Sequence, residues 1–192
     1  MLFLSVSVAL VLSGCADRLL DYVRGPQLKV EEGKMIYARQ VLEHYDAKGN
    51  AVPQYYELWA VPGKSAYREL NANGEEVVTA LDSGNRHIAF SSGTGEAVKS
   101  RRSRVFLLDF NALKRNYPVE TVNEGQKYVG RDCTVHLLEN NDGDDWLKIY
   151  RDSETGLILF CDAPLFVLKT ASAEILPADP EKFSEPQGLD FR

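Results

Sequence analysis

Three histidines and three cysteines are all that 192 residues offer as soft metal ligands. His44, His87 and His136 stand far apart, with no second histidine or cysteine at ligand spacing, so no metal site is expected. Positive charge is scarce as well. Lys and Arg total 22 against 28 Asp and Glu, a net charge of −6, which excludes the basic surface that non-specific nucleic-acid binding needs. No apolar run reaches the roughly 18 residues of a membrane-spanning helix. A Gly-x-Ser-x-Gly elbow is absent. Gly93-Thr94-Gly95 lacks the Gly-Lys-Ser/Thr that completes a phosphate loop, and no cysteine stands out as a nucleophile. These absences point to a protein that is not an enzyme and carries no cofactor.

What is present begins with residues 2 to 12 (LFLSVSVALVL), an uncharged apolar run of signal-peptide length. Leu12-Ser13-Gly14-Cys15 follows at once and resembles the bacterial lipoprotein lipobox. That resemblance implies removal of residues 1–14 as a signal peptide, lipid attachment at Cys15 with palmitate-type acylation, and lasting tethering to a membrane. The place implied is the cell envelope outside the cytoplasm, at the outer membrane if the cell has one. Residues 15–34 would then be a lipidated start, a short helix over 16–23 ended by Gly25-Pro26, and a leash.

Residues 35–192 suit a single domain with its own core. Glycines at 49, 63, 74, 84 and 95 recur at meander spacing. Between them, Met35 to Leu42, Tyr55 to Val61 and Arg86 to Phe90 are rich in β-branched and aromatic residues and read as strands. Turn punctuation then stops, and Phe106, Phe110, Leu113 and Tyr117 fall at helical spacing in Val105 to Tyr117, closed by Pro118. Strands resume over Lys127 to Leu138, Asp145 to Arg151, Leu157 to Asp162 and Phe166 to Leu176. The Pro-rich acidic tail from Pro177 is expected along the surface. Apolar residues on both strand faces predict a mainly β (α+β) fold: a curved antiparallel sheet with one main helix packed in or near the hollow.

Several runs resemble the LolA/LolB-like lipoprotein-carrier superfamily. They are Arg39-Gln40-Val41, the hairpin Asp46 to Asn50, Glu57-Leu58-Trp59, Pro62-Gly63-Lys64, Tyr67-Arg68 and Ala80 to Gly84. Asp152-Ser153-Glu154-Thr155-Gly156-Leu157 resembles the D-x-x-T-G-L hairpin of that superfamily and of RseB-type sensors, and Phe183 to Gly188 the closing F-x-x-P-x-G. The resemblance implies an incomplete β-barrel that binds acyl chains or lipidated protein without catalysis. A related role, implied by GerS-type relatives, is docking of an exported cell-envelope enzyme without a ligand cavity.

Tyr56, Leu58, Trp59, Phe106, Phe110 and Trp146 are candidates for lining an apolar pocket between helix and sheet, though the same pattern also describes plain core. Lys99, Arg101, Arg102 and Arg104 form the one basic knot, suited to anionic headgroups, to an acidic partner, or to protecting a sheet edge. Cys133 and Cys161 are a possible disulfide. A bond closing that loop would contribute about 3 to 4 kcal/mol, but an intervening strand in a simple meander would hold the pair beyond the usual ~7 Å Cα reach. The cluster Glu139 to Asp145 lacks the alternating ligands of a calcium loop and reads as a solvated hairpin tip.

Overall fold

The computed structural model of the protein describes residues 28–83, 86–91, 93–100 and 110–191. The expected signal peptide, Cys15, the helix over 16–23, Phe106, Arg101, Arg102 and Arg104 lie outside the described residues.

Strands β1 (Lys34–Tyr45), β2 (Ala51–Val61), β3 (Lys64–Leu70), β4 (Glu76–Ser83), β5 (Arg86–Phe90) and β6 (Glu96–Ser100) form a first meander. Helix α1 (Phe110–Asn116) follows. A second meander comprises β7 (Val119–Tyr128), β8 (Arg131–Glu139), β9 (Trp146–Asp152), β10 (Ile158–Ala163) and β11 (Phe166–Pro177). β1 pairs with β11 along almost its whole length, which joins the two meanders into one open, curved sheet. A 3-10 turn at Pro180–Phe183 and the two-residue strand β12 (Asp190–Phe191) complete the order, with β12 parallel to β6.

The expected strand over Lys127 to Leu138 is corrected to two. The chain reverses at Val129-Gly130, where Tyr128 pairs with Arg131 and both turn residues have positive φ, 46° and 78°. Such a turn normally takes Asn-Gly or Gly-Gly, so a β-branched valine at its first position hid it. The segment expected as a leash ends in the core: Leu28 is buried, and the Lys29 amide donates to the Thr155 carbonyl at 2.8 Å.

Paired residues of neighbouring strands share a face, so register sorts the core into two sides. On one side, Phe110 and Leu113 of α1 pack on Leu138, Leu147, Ile149, Cys161 and Leu168. Ile36, Ala38, Leu58, Ala60, Tyr67 and Ala80 continue that side across β1 to β4. The other side carries Met35, Trp59, Ala66 and Leu81, with Phe183 of the tail packed on them. The tail therefore lies on the surface as expected, but as an ordered cover over apolar residues. α1 rests on the half of the sheet built from β8 to β11.

Candidate functional site

An open cleft of about 670 Å³ is bordered by Arg39, Val41, Tyr55, Glu57, Arg68, Leu70, Glu76 and Ala171. Two bulges shape it. Arg39 pairs with Ser172 but Gln40 with Thr170, leaving Ala171 extra in β11. Glu69 pairs with Val78 and Leu70 with Glu76, leaving Val77 extra in β4. An unpaired residue bends its strand and re-aims its neighbours; Ala171 and Glu76, at the two bulges, border the cleft, while β1, β2 and β3 stay in regular register beneath it. Tyr55, Val41, Leu70 and Ala171 supply apolar wall. The long stems of Arg39 and Arg68 add methylenes while their guanidinium heads engage polar partners on the floor.

A polar seam runs along the floor. The Arg39 Nε donates to the Tyr37 hydroxyl at 2.8 Å, and that hydroxyl donates to Glu57 Oε1 at 2.7 Å. Arg68 donates to Glu57 Oε2 at 2.5 Å and approaches Glu76 at 3.5 Å. Burial alone would raise the Glu57 pKa, but the bonds from Tyr37 and Arg68 and the nearby guanidinium charges outweigh it and hold the carboxyl below its ordinary range. Burial, reinforced by the bond to Glu57, pushes Tyr37 upward. The Arg68 guanidinium also lies 4.8 Å from the Trp59 ring centroid, within cation–π range.

The sequence candidates do not converge on this cleft. Tyr56 borders it, yet register turns its side chain to the α1 side, where it meets Tyr67 edge-on at 5.9 Å. Leu58 is buried on that same side. Trp59 faces the tail. Phe110 is buried between the His136 ring, 4.5 Å away, and the Arg151 guanidinium, 4.9 Å away. Trp146 is half-buried at the start of β9. The pocket expected between helix and sheet is thus not where this cleft opens. Sequence reasoning missed Arg39, Glu57, Arg68 and Tyr55 as a group, because the cross-strand register that lines them up leaves no mark in residue type.

The remaining motifs have structural explanations. Asp152 accepts from Arg131 Nε and Nη2 at 3.0 and 2.9 Å and from the Thr155 amide at 2.9 Å, and the Thr155 hydroxyl also donates to it. The D-x-x-T-G-L run is therefore a hairpin staple, with Gly156 at φ 76° finishing the turn. Asn140 ties the 139–145 tip by accepting from the Asp145 amide at 3.3 Å. His136 is buried and bonds Glu120 at 2.7 Å, while His44 meets Gln54 at the surface. Among the described residues no three His, Cys, Asp or Glu gather to hold a metal. Lys99 lies on β6 with its ammonium 3.6 Å from the Phe191 ring centroid, so this member of the basic knot meets the tail.

Cys133 and Cys161 are free and buried. Cys133 pairs with Asp152 and Cys161 with Ile149 on opposite edges of β9. Positions an odd number apart on a strand point to opposite faces, so the thiols lie on different sides of the sheet. No disulfide spans them.

No family model and no curated protein matches the sequence. Solved structures do share the architecture. An uncharacterized conserved protein from Thermus thermophilus superposes with a TM-score of 0.56 at 10% identity, over 93% of this chain and 98% of its own. MucB of Pseudomonas aeruginosa, solved in complex with MucA, does so with a TM-score of 0.52 at 14% identity, over 90% of this chain. The chain spans 61% of MucB's length. A looser likeness, at a TM-score of 0.42 and 11% identity, joins 86% of this chain to 94% of a LolA superfamily protein from Nitrosomonas europaea. The two stronger superpositions show that the chain shares its fold with the Thermus thermophilus protein and with MucB.

Proposed function

We propose that the protein is a non-enzymatic binding module of the cell envelope, held at a membrane through lipid on Cys15, that takes acyl chains or lipidated protein. The observation that carries the reading is the bulge-bordered cleft, whose mainly apolar wall surrounds a floor of fixed charges. Its volume falls in the range of small-ligand sites. Tyr55 and Leu70 would pack along an aliphatic chain, and Arg39 would meet a polar or anionic head at the rim. A titration with a fluorescent fatty acid tests this: saturable binding is expected, weakened at least tenfold by Tyr55→Glu with Leu70→Glu. A flat titration overturns it.

A second reading is a module that docks an exported cell-envelope protein and needs no ligand. MucB, which shares the fold, was solved bound to a partner protein, MucA. Under this reading Arg101, Arg102 and Arg104 serve as partner or headgroup contacts.

A further inference from the structure

The tail from Ala178 to Phe191 crosses the sheet side opposite α1 and is fastened there lightly. Phe183 packs on the Met35, Trp59, Ala66 and Leu81 cluster. Lys182 places its ammonium 5.0 Å from the Trp59 centroid. Glu185 pairs with Arg86 at 2.6 and 3.0 Å. At the far end the Asp190 amide donates to the Gly95 carbonyl at 3.0 Å, and β12 pairs with only Glu96 and Ala97 of β6. No residue of the 3-10 turn is buried. Two solvent-open grooves, about 200 and 130 Å³, run along the strap where it meets the sheet, one beside Trp59 and Phe90 and one beside Phe183 and Arg86.

Charge is sorted across the contact. The strap carries Asp179, Glu181, Glu185 and Asp190 against a single Lys182. The sheet beneath and beside it presents Lys64, Arg86 and Lys99, together with Arg68, which Glu57 and Glu76 already pair, and the carboxylate Asp82. Trp59, Ala66 and Leu81 form the apolar floor, while Val98 and Lys99 of β6 extend beyond the rungs that β12 uses.

We propose that the strap is a displaceable internal occupant, and that the surface beneath it docks an acidic, extended, aromatic-bearing segment of another exported protein, laid beside β6. The partner's aromatic ring replaces Phe183 over Trp59, its carboxylates replace Glu185 at Arg86, and its backbone continues along β6. Strand addition of this kind draws affinity from main-chain bonds and specificity from side-chain seats. This surface adjoins the cleft through Arg68, which borders both, and the peptide and fatty-acid titrations read the two proposals separately.

The test uses the full chain and a labelled peptide with the sequence of residues 178–191. Phe183→Ala combined with Glu185→Gln loosens the strap and is expected to bind the peptide saturably, at least tenfold more tightly than the unaltered chain. A peptide with its four carboxylates replaced by amides is expected to lose at least tenfold in affinity. Equal binding by both chains, or by neither, overturns displacement. Undiminished binding of the neutral peptide overturns the acidic partner. A dimer formed by exchange of straps makes the occupant a second copy and overturns the assignment to another protein. Hydrogen exchange on the unaltered chain is the companion measurement: the amides of Lys182, Ser184 and Asp190 should exchange at least tenfold faster than those of β5. Equal protection overturns the proposal.

Discussion

Replacing Asp152 by Ala tests whether the D-x-x-T-G-L hairpin is held by its buried carboxylate. Asp152 is 3% exposed at the end of β9, where it accepts two bonds from Arg131 and two from Thr155. Alanine leaves the Arg131 guanidinium, 20% exposed, with the outlying Glu154 as its remaining ion-pair partner, and strips the Thr155 amide of its acceptor. Breaking one side of a buried pair costs about 3 to 5 kcal/mol, and the partial exposure of Arg131 places the expected loss near ~3 kcal/mol. For a chain of this size the melting temperature should fall by roughly 6 to 12 °C. Acidity supplies a second handle. Burial alone would raise the Asp152 pKa, but the bonds from Arg131 and Thr155 outweigh it and hold the carboxyl below its ordinary value. A depressed carboxylate stabilises the fold fully above its unfolded pKa of about 3.9 and loses that contribution as pH falls through the folded value. The difference between the unaltered chain and Asp152→Ala, measured by urea unfolding, should therefore be full at pH 7 and shrink below about pH 4. A loss under about 1 kcal/mol at neutral pH, or one of the same size at pH 3, would refute the reasoning.

His136 is lowered below its ordinary pKa because burial outweighs the pull of Glu120. Its contribution is present above about pH 6.5 and lost as pH falls toward the folded value, so His136→Gln should flatten the urea midpoint between pH 7.5 and pH 5. Val129 occupies a left-handed conformation at φ 46°; Val129→Asn should raise stability by about 1 kcal/mol in thermal unfolding, and a destabilised variant would show that the valine side chain matters more than its backbone. Burial pushes both thiols upward, Cys161 to about 12. In a Cys15→Ser chain they should resist a thiol reagent when native, and both should titrate after denaturation without reductant; silence there would mean a disulfide. Arg68 touches Glu57 in the cleft and Trp59 beneath the strap, so Arg68→Met should speed exchange of the strap amides and also alter fatty-acid affinity, whereas a change in one alone would mark the two surfaces as independent.

Turn chemistry made most of the sheet legible. The glycines at 49, 63, 74 and 95 all sit at positive φ in or beside the strand turns, where residue type and backbone agree. The last three strands of the second meander begin and end within a residue of their expected bounds. Legibility failed where conformation and residue type part company. Val129 occupies a position that Gly or Asn usually fills, so the β7–β8 reversal was invisible. The cleft depends on the register of β1, β2 and β3, which brings Arg39, Glu57 and Arg68 into one row, and on the extra residue Ala171 at its rim, neither of which leaves a compositional mark. Likewise, the opposite facing of Cys133 and Cys161 follows from the parity of Asp152 and Ile149 on β9, a property of pairing that spacing along the chain does not reveal.

The two sides of the sheet are covered by different means, and the difference bears on function. Over β8 to β11, α1 is locked by close contacts: Phe110 between His136 and Arg151, Leu113 buried, Lys114 and His136 both on Glu120, and the Tyr117 hydroxyl donating to Asp145 at 2.8 Å. Opening that side would strand a buried histidine and its carboxylate, a high cost in a low-dielectric setting. Over β1 to β6, the strap is largely exposed, flanked by open grooves, and fastened by Phe183, by the Glu185–Arg86 ion pair, by Lys182 on Trp59 and Lys99 on Phe191, and by two strand rungs. Lifting it exposes Trp59 and Leu81 but leaves its carboxylates in water, where they are already solvated. The side that opens at lower cost is also the side on which Arg39, Glu57 and Arg68 border the cleft, so binding is expected there, with α1 and its polar contacts serving as the rigid support.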